Sequence, residues 1–306
     1  MRWMRSSVLA LVLAVCVLVA ACSSTTSSPR TLDPTPSWAT ASGSPYTTGR
    51  KTDIAYGSNK AQKMDLCYPP SRPTNTSAFL LIHGGGWSSG SKADFGGLCA
   101  TIARLGYVAA TMDYRMFDQG ATYADMLADI DLALATYRDT ARTDGWPITE
   151  VALLGASAGA HLSLMYAYTR TPILPIGFVV GMSSPTDFLD PVFVENATPD
   201  QFSQLSQLLG VKVTRDTVDQ RSAALQAASP AFRVTRGSPP TILAHGAKDS
   251  VVPYSNAILL TSRLASLGVP YDLLTYPTSD HNLADDPDVN TRFLQLVLDY
   301  AARYLT

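Results

Sequence analysis

From residue 79 onward, short and nearly continuous apolar runs alternate with longer segments whose apolar residues recur every three or four positions. The runs 79–82, 107–112, 151–154, 178–181, 241–244 and 271–276 have the pattern of strands covered on both faces. Between and after them, 93–105, 123–138, 158–168, 254–267 and 287–304 predict helices. In the second helix Met126, Ile130, Leu134 and Tyr137 form one apolar stripe, and Asp125, Asp129 and Asp131 lie largely off it and read as solvated surface. Upstream, alternating segments at 51–55 and 63–68, with Gly57-Ser58-Asn59 between them, predict an antiparallel hairpin. Strand–helix alternation of this kind builds a mainly parallel sheet flanked by helices. Residues 185–230 break the rhythm, with no strand pattern but helical stretches at 201–209 and 222–228. They read as an insertion over the sheet, either a small lid or pocket wall or a peripheral excursion. The lid is the expectation carried forward.

The N-terminus follows a different logic. Arg2 and Arg5 precede an apolar stretch from Val8 to Val19, then Ala20, Ala21 and Cys22. Charge, a short hydrophobic run and a small-residue cleavage point form a signal-peptide layout, too short for a membrane span. Val19-Ala20-Ala21-Cys22 resembles the bacterial lipobox, which implies cleavage after residue 21 and lipidation of Cys22. The alternative is an ordinary cleaved signal with an incidental cysteine. Residues 22–48 are rich in Ser, Thr and Pro and bury too little apolar surface to offset ordering, so they predict a flexible tether. The expected organisation is a signal over 1–21, a lipidated tether over 22–48 and one folded domain over 49–306. The protein is then exported and held on the outside of a bacterial membrane by its lipid.

Composition narrows the partners. The 306-residue chain is 46% hydrophobic with a net charge of −2, which supplies a large core but not the basic footprint of a nucleic-acid binder. No Cys/His spacing suggests a metal. With Cys16 in the signal and Cys22 at the lipobox, Cys67 and Cys99 remain as an even pair in an oxidising compartment. They form either a disulfide, the reading preferred, or two separate buried thiols.

Chemistry concentrates in four segments. Gly155-Ala156-Ser157-Ala158-Gly159 sits between a predicted strand and a predicted helix. This is the setting of a nucleophilic serine on a sharp turn whose neighbours must be tiny. His83-Gly84-Gly85-Gly86-Trp87 follows another strand, and glycine backbone there can bring N–H donors close to a ligand. Such donors stabilise a developing oxyanion. Gly85 and Gly86, with Ala158 after the serine, are the candidates. A phosphate loop is the weaker reading, because neither a Walker lysine nor G-x-G-x-x-G spacing is present. Trp87 either walls the acyl site or packs under the loop. A serine needs a base, and the chain has four histidines. His83 belongs to the glycine loop and reads as holding its shape, His161 lies one helical turn past Ser157 and reads as packing or bonding locally, and His245 ends a strand and reads as support for the following turn. His281, on the loop after the last strand, is the candidate base. Asp249, after the penultimate strand, is the preferred orienting carboxylate, with Asp187 as runner-up and Asp280 expected to point elsewhere. The order Ser157, Asp249, His281 is that of the α/β-hydrolases.

Together the His83–Trp87 loop, the Gly155–Gly159 turn, the Asp249 segment, His281, and Ala228-Ser229-Pro230 with Pro239-Pro240 resemble the hormone-sensitive-lipase-like and feruloyl-esterase-like carboxylesterases. The resemblance runs from about residue 53 to the end. It implies an α/β-hydrolase fold with about eight mostly parallel strands, and cofactor-free hydrolysis of a small-molecule ester. Asp113-Tyr114-Arg115-Met116 departs from the Arg-Leu-Ala-Pro run of many lipase-like members and favours the feruloyl-esterase-like side. Two rivals stand beside this reading: a serine peptidase or amidase of the same fold, and a surface binding protein without activity.

Overall fold

The computed structural model describes residues 49–71 and 77–305; the signal segment, Cys22 and the tether lie outside them. The described residues form an eight-stranded sheet in the order β1-β2-β4-β3-β5-β6-β7-β8. Its strands are β1 (Gly49–Ala55), β2 (Lys63–Tyr68), β3 (Ser77–Ile82), β4 (Val108–Met112), β5 (Glu150–Ala156), β6 (Ile176–Met182), β7 (Thr241–Gly246) and β8 (Tyr271–Tyr276). β1–β2 and β2–β4 pair antiparallel and the other neighbours pair parallel, so the predicted hairpin forms one edge. Every residue of β3, β4 and β7 is buried, which is why these strands carry no alternation of apolar and polar residues.

Side chains still alternate between two cores, as the strand period requires. Leu80, Ile82, Leu153 and Leu243 face one; Phe79, Leu81, Leu154 and Ile242 face the other. The first is closed by α2 (Tyr123–Thr143), α3 (Ala158–Thr169) and α8 (Ser255–Leu267). The second is closed by α1 (Gly96–Arg104) and α9 (Pro287–Tyr304). Cys67 on β2 is bonded to Cys99 on α1, with Cα atoms 5.9 Å apart, which ties the hairpin edge to the helix above it.

The region without strands folds as α4 (Pro191–Asn196), α5 (Pro199–Leu209), α6 (Ser222–Ala227) and α7 (Pro230–Arg233). Phe202, Leu205, Leu208 and Leu225 anchor it in the first core. It is therefore packed into the body rather than hung from it.

One surface assignment is overturned. Asp129 is fully buried. Its Oδ1 accepts from Gln62 Nε2 at 2.8 Å and Arg115 Nε at 2.9 Å, and its Oδ2 accepts from Arg115 N at 2.8 Å. The buried face of α2 is wider than the stripe that announced it, since Leu127, Ala133 and Ala141 are buried too. A carboxylate at its margin is tolerated because the hairpin turn and the segment after β4 supply donors. Asp125, by contrast, is half-exposed and closes the first turn of α2 by accepting from Thr122. Removing this buried carboxylate leaves the buried Gln62 amide and the Arg115 N–H without their acceptor, typically about 1–3 kcal/mol for a buried group left unpaired. Asp129→Ala is therefore expected to lower unfolding free energy by that order in a denaturant titration, whereas Asp125→Ala costs about 1 kcal/mol as a lost cap. Equal losses would contradict this assignment.

Candidate active site

The serine lies where β5 turns into α3. Ser157 has φ 52° and ψ −117°, a strained conformation for a residue with a side chain. Its N–H donates to Met182 O at 2.7 Å, which pins the turn to the end of β6. The flanking glycines are steric necessities. A Cβ on Gly155 would lie 2.2 Å from Gly159 O, and one on Gly159 would lie 2.0 Å from Ile82 O. The helix thus starts directly against the end of β3, and only glycine permits that approach.

The same approach brings in the glycine loop. A Cβ on Gly84 would meet Ala156 O at 2.8 Å and Ser157 Cβ at 3.2 Å, so Gly84 is the residue that abuts the serine. The glycine pattern pointed to Gly85 and Gly86 and gave Gly84 no role. Gly85 and Gly86 take φ +111° and +59°, values that glycine adopts readily. Gly85 O accepts from the N–H groups of Ser88 and Ser89, and neither the Gly85 nor the Gly86 N–H has a protein acceptor among the described residues. His83 is buried beneath the loop. Its ring stacks on Tyr114 at 4.4 Å, its Nδ1 donates to Gly84 O at 2.8 Å, and Tyr114 Oη donates to His83 O at 3.1 Å. Burial pushes its pKa down, in keeping with a neutral scaffold for the loop. Trp87 is buried among Phe117, His161 and Phe188, which answers to packing under the loop.

His281 joins the serine to Asp249. Its Nε2 is 2.9 Å from Ser157 Oγ and its Nδ1 is 2.7 Å from Asp249 Oδ2. The loop carrying it is braced on several sides: Ser183 Oγ donates to His281 O at 2.8 Å, and Asp286 accepts from Ser279 N and Oγ. At Gly246 a Cβ would lie 2.2 Å from Asp280 O, so the end of β7 is bare where the histidine loop crosses it. Asp249 Oδ1 accepts from Val251 N and Val252 N, each at 2.9 Å. His245 supports the turn after β7 as expected, its Nε2 donating to Val252 O at 2.9 Å, and what was not foreseen is that the same ring lies 3.2 Å from Asp249 Oδ2. Its place at the end of β7, four residues before the aspartate, was the available signal. Burial alone would raise the Asp249 carboxyl, but hydrogen bonds from His245 and His281 outweigh it and hold the group well below the usual carboxylate range,.

The other candidates go elsewhere. Asp187 Oδ1 accepts from Leu189 N at 2.8 Å, burial pushes its carboxyl up, and no histidine contacts it among the described residues. Asp280 Oδ1 accepts from Asn282 N. His161 is buried and packs against Trp87 and Phe188 as expected, while its Nε2 donates outside its own helix, to Ala228 O of the insertion at 2.8 Å. Burial pushes its pKa down to about 4.

With that geometry in place, known proteins supply the relationship. The family model described as BD-FAE matches residues 64–264, well over half of the chain. The chain belongs to the BD-FAE family. It is 30% identical over 227 residues to esterase LipC of Mycobacterium tuberculosis, covering 70% of this chain and 55% of LipC. It is 28% identical over 213 residues to the probable carboxylic ester hydrolase LipM of the same organism, covering 67% and 49%. The chain spans about half the length of the curated relatives it matches. Among solved structures, a truncated carbohydrate esterase from gut microbiota superimposes with TM-score 0.69 at 19% identity, covering 84% of this chain and 97% of that one. Esterase B of Lactobacillus rhamnosis gives 0.66 at 19%, covering 97% and 95%. At such identities the likeness speaks to fold, and the fold of this BD-FAE member is that of the α/β-hydrolases.

The low pKa of Asp249 has a consequence for stability. A carboxyl whose folded pKa lies below its ordinary value of 3.8 stabilises the fold above that value and ceases to as pH falls toward its folded pKa. Unfolding midpoints measured from pH 6 down to pH 3 are expected to fall more steeply for wild type than for Asp249→Asn. Parallel curves would mean that the carboxylate is not held as described.

Proposed function

We propose that this protein is a serine carboxylic ester hydrolase working through an acyl-enzyme. The observation that carries the reading is the unbroken relay from Ser157 Oγ through His281 to Asp249, at 2.9 and 2.7 Å, beside a glycine loop with open N–H groups. Ser157 Oγ attacks the ester carbonyl while its proton passes to His281 Nε2, and Asp249 holds the Nδ1–H and stabilises the imidazolium. The carbonyl oxygen, now negative, is held by the N–H groups of Gly85, Gly86 and Ala158, each such donor being worth about 3 kcal/mol in the transition state. The C–O bond to the alcohol breaks and His281 protonates the departing oxygen. Water then attacks the acyl-serine and gives its proton to His281, and as the bond from the acyl carbon to Oγ breaks His281 returns that proton to Ser157 Oγ, releasing the carboxylic acid. No metal or redox group enters this balance. The names of the relatives LipC and LipM, an esterase and a probable carboxylic ester hydrolase, support carboxylic esters as substrates, and small to medium esters are the first to test.

Ser157→Ala is expected to abolish labelling by a fluorophosphonate probe and to lower ester turnover at least about a thousandfold. Turnover of matched ester and anilide substrates separates this reading from a peptidase or amidase. A wild type that is unlabelled and inert on a broad ester panel would establish the surface-binding alternative.

The N-terminus extends the proposal to location. Val19-Ala20-Ala21-Cys22 after a charged and apolar leader supports export, cleavage before Cys22 and lipid anchoring through that residue, with 23–48 as tether. Mass spectrometry of the mature protein from its native membrane is expected to find a diacylated or triacylated Cys22 as first residue. An unmodified terminus, or cleavage elsewhere, would refute the anchor.

A further inference from the structure

The helix α5 spans the two halves of the candidate site. Thr198 caps its start, Pro199 occupies the first turn, and Gly210 ends it at φ +67°, so its length is set locally. Phe202, Leu205 and Leu208 are buried in the first core and fix its roll. That roll leaves Gln201 and Gln204, three residues apart, as neighbours on one face. Gln201 reaches the acid loop, donating from Nε2 to Val251 O at 3.0 Å, while its Oε1 accepts from Thr198 N at 2.8 Å. Gln204 reaches the glycine loop: a Cβ on Gly86 would lie 3.0 Å from Gln204 Nε2 and 3.7 Å from Oε1. The amide therefore covers the bare face of the glycine whose N–H is a candidate oxyanion donor.

The two amides differ in one respect. Both ends of the Gln201 side chain are engaged within the protein. Gln204 is half-buried, and neither its donors nor its acceptor has a partner among the described residues. An amide has two donor hydrogens and an acceptor oxygen, and at Gln204 neither the nitrogen nor the oxygen is sealed from solvent, so both are free to bond a ligand that lies on the glycine loop.

We propose that Gln204 is a substrate-binding residue of this site. Its amide hydrogen-bonds an oxygen carried beside the ester carbonyl, so that esters with an ether or hydroxyl oxygen within a few bonds of the carbonyl are favoured over plain alkyl esters. This rests on the serine-hydrolase reading above.

The test compares kcat/KM on two matched pairs in wild type, Gln204→Leu and Gln204→Ala: p-nitrophenyl butyrate with p-nitrophenyl methoxyacetate, and butyl acetate with 2-methoxyethyl acetate. Intrinsic reactivity differs within each pair but cancels when the polar-to-alkyl ratio is compared between wild type and variant. In at least one pair that ratio is expected to fall about fivefold to twentyfold in both variants, the worth of one hydrogen bond. Fluorophosphonate labelling at Ser157 is expected to persist in both variants, because the relay is untouched. Ratios unchanged in both pairs, with wild type active, would overturn the role of Gln204 alone. Loss of labelling and of all turnover together in both variants would also overturn it, since α5 then only shapes the site. A wild type that hydrolyses none of the four esters and is unlabelled would remove the serine-hydrolase reading and this proposal with it.

Discussion

The backbone of the first turn of α3 touches the backbone at the end of β3. A methyl group on Gly159 would lie 2.0 Å from Ile82 O and 2.4 Å from His83 O, and one on Gly84 would press on Ala156 O. Adjacent parallel strands ordinarily keep the loops at their ends apart by the width of their side chains. Here three glycines remove that width, and the loop after β3 comes to lie against the turn after β5. Everything else in the site is arranged around that approach. Ser157 can then hold its strained φ because its N–H is tied to Met182 O and its helix has no room to slide.

The second constraint is electrostatic. Asp249 is nearly sealed from solvent, and a carboxylate there is tolerable only because it is well matched: two backbone N–H groups donate to Oδ1, the His281 N–H to Oδ2, and the His245 ring lies 3.2 Å from Oδ2,. The loop 249–252 wraps its own carboxylate, and His245 holds that loop to the strand through Val252 O. His281 is therefore oriented by a group that is itself immobilised. Asp129 follows the same rule on the other side of the molecule, where Gln62 and Arg115 make a buried charge acceptable.

The insertion shows how a helix can be legible while its role is not. Thr198, Pro199 and Gly210 mark the ends of α5 in the sequence, and Phe202, Leu205 and Leu208 mark its inner face. Which loops the opposite margin overlies depends on how far the insertion folds back across the sheet. Pattern says nothing of that. For the same reason Trp87 could be read either as a pocket wall or as packing, and His161 could be kept out of the relay without its bond to Ala228 being foreseen.

The chain by itself determined the sheet, because unbroken apolar runs between amphipathic segments admit few arrangements other than parallel strands covered on both faces. It also narrowed the candidate reactive groups to one serine, one histidine and a short choice of carboxylates, because strand-end positions and four histidines leave little room for alternatives. Tertiary structure alone decided between Asp249 and Asp187, gave Asp249 a second imidazole in His245, turned Asp129 inward, and laid Gln204 over Gly86. Each of these depends on distances across the fold between residues far apart in sequence. Periodicity reports which face of an element is covered, and it carries no information about which distant residue does the covering.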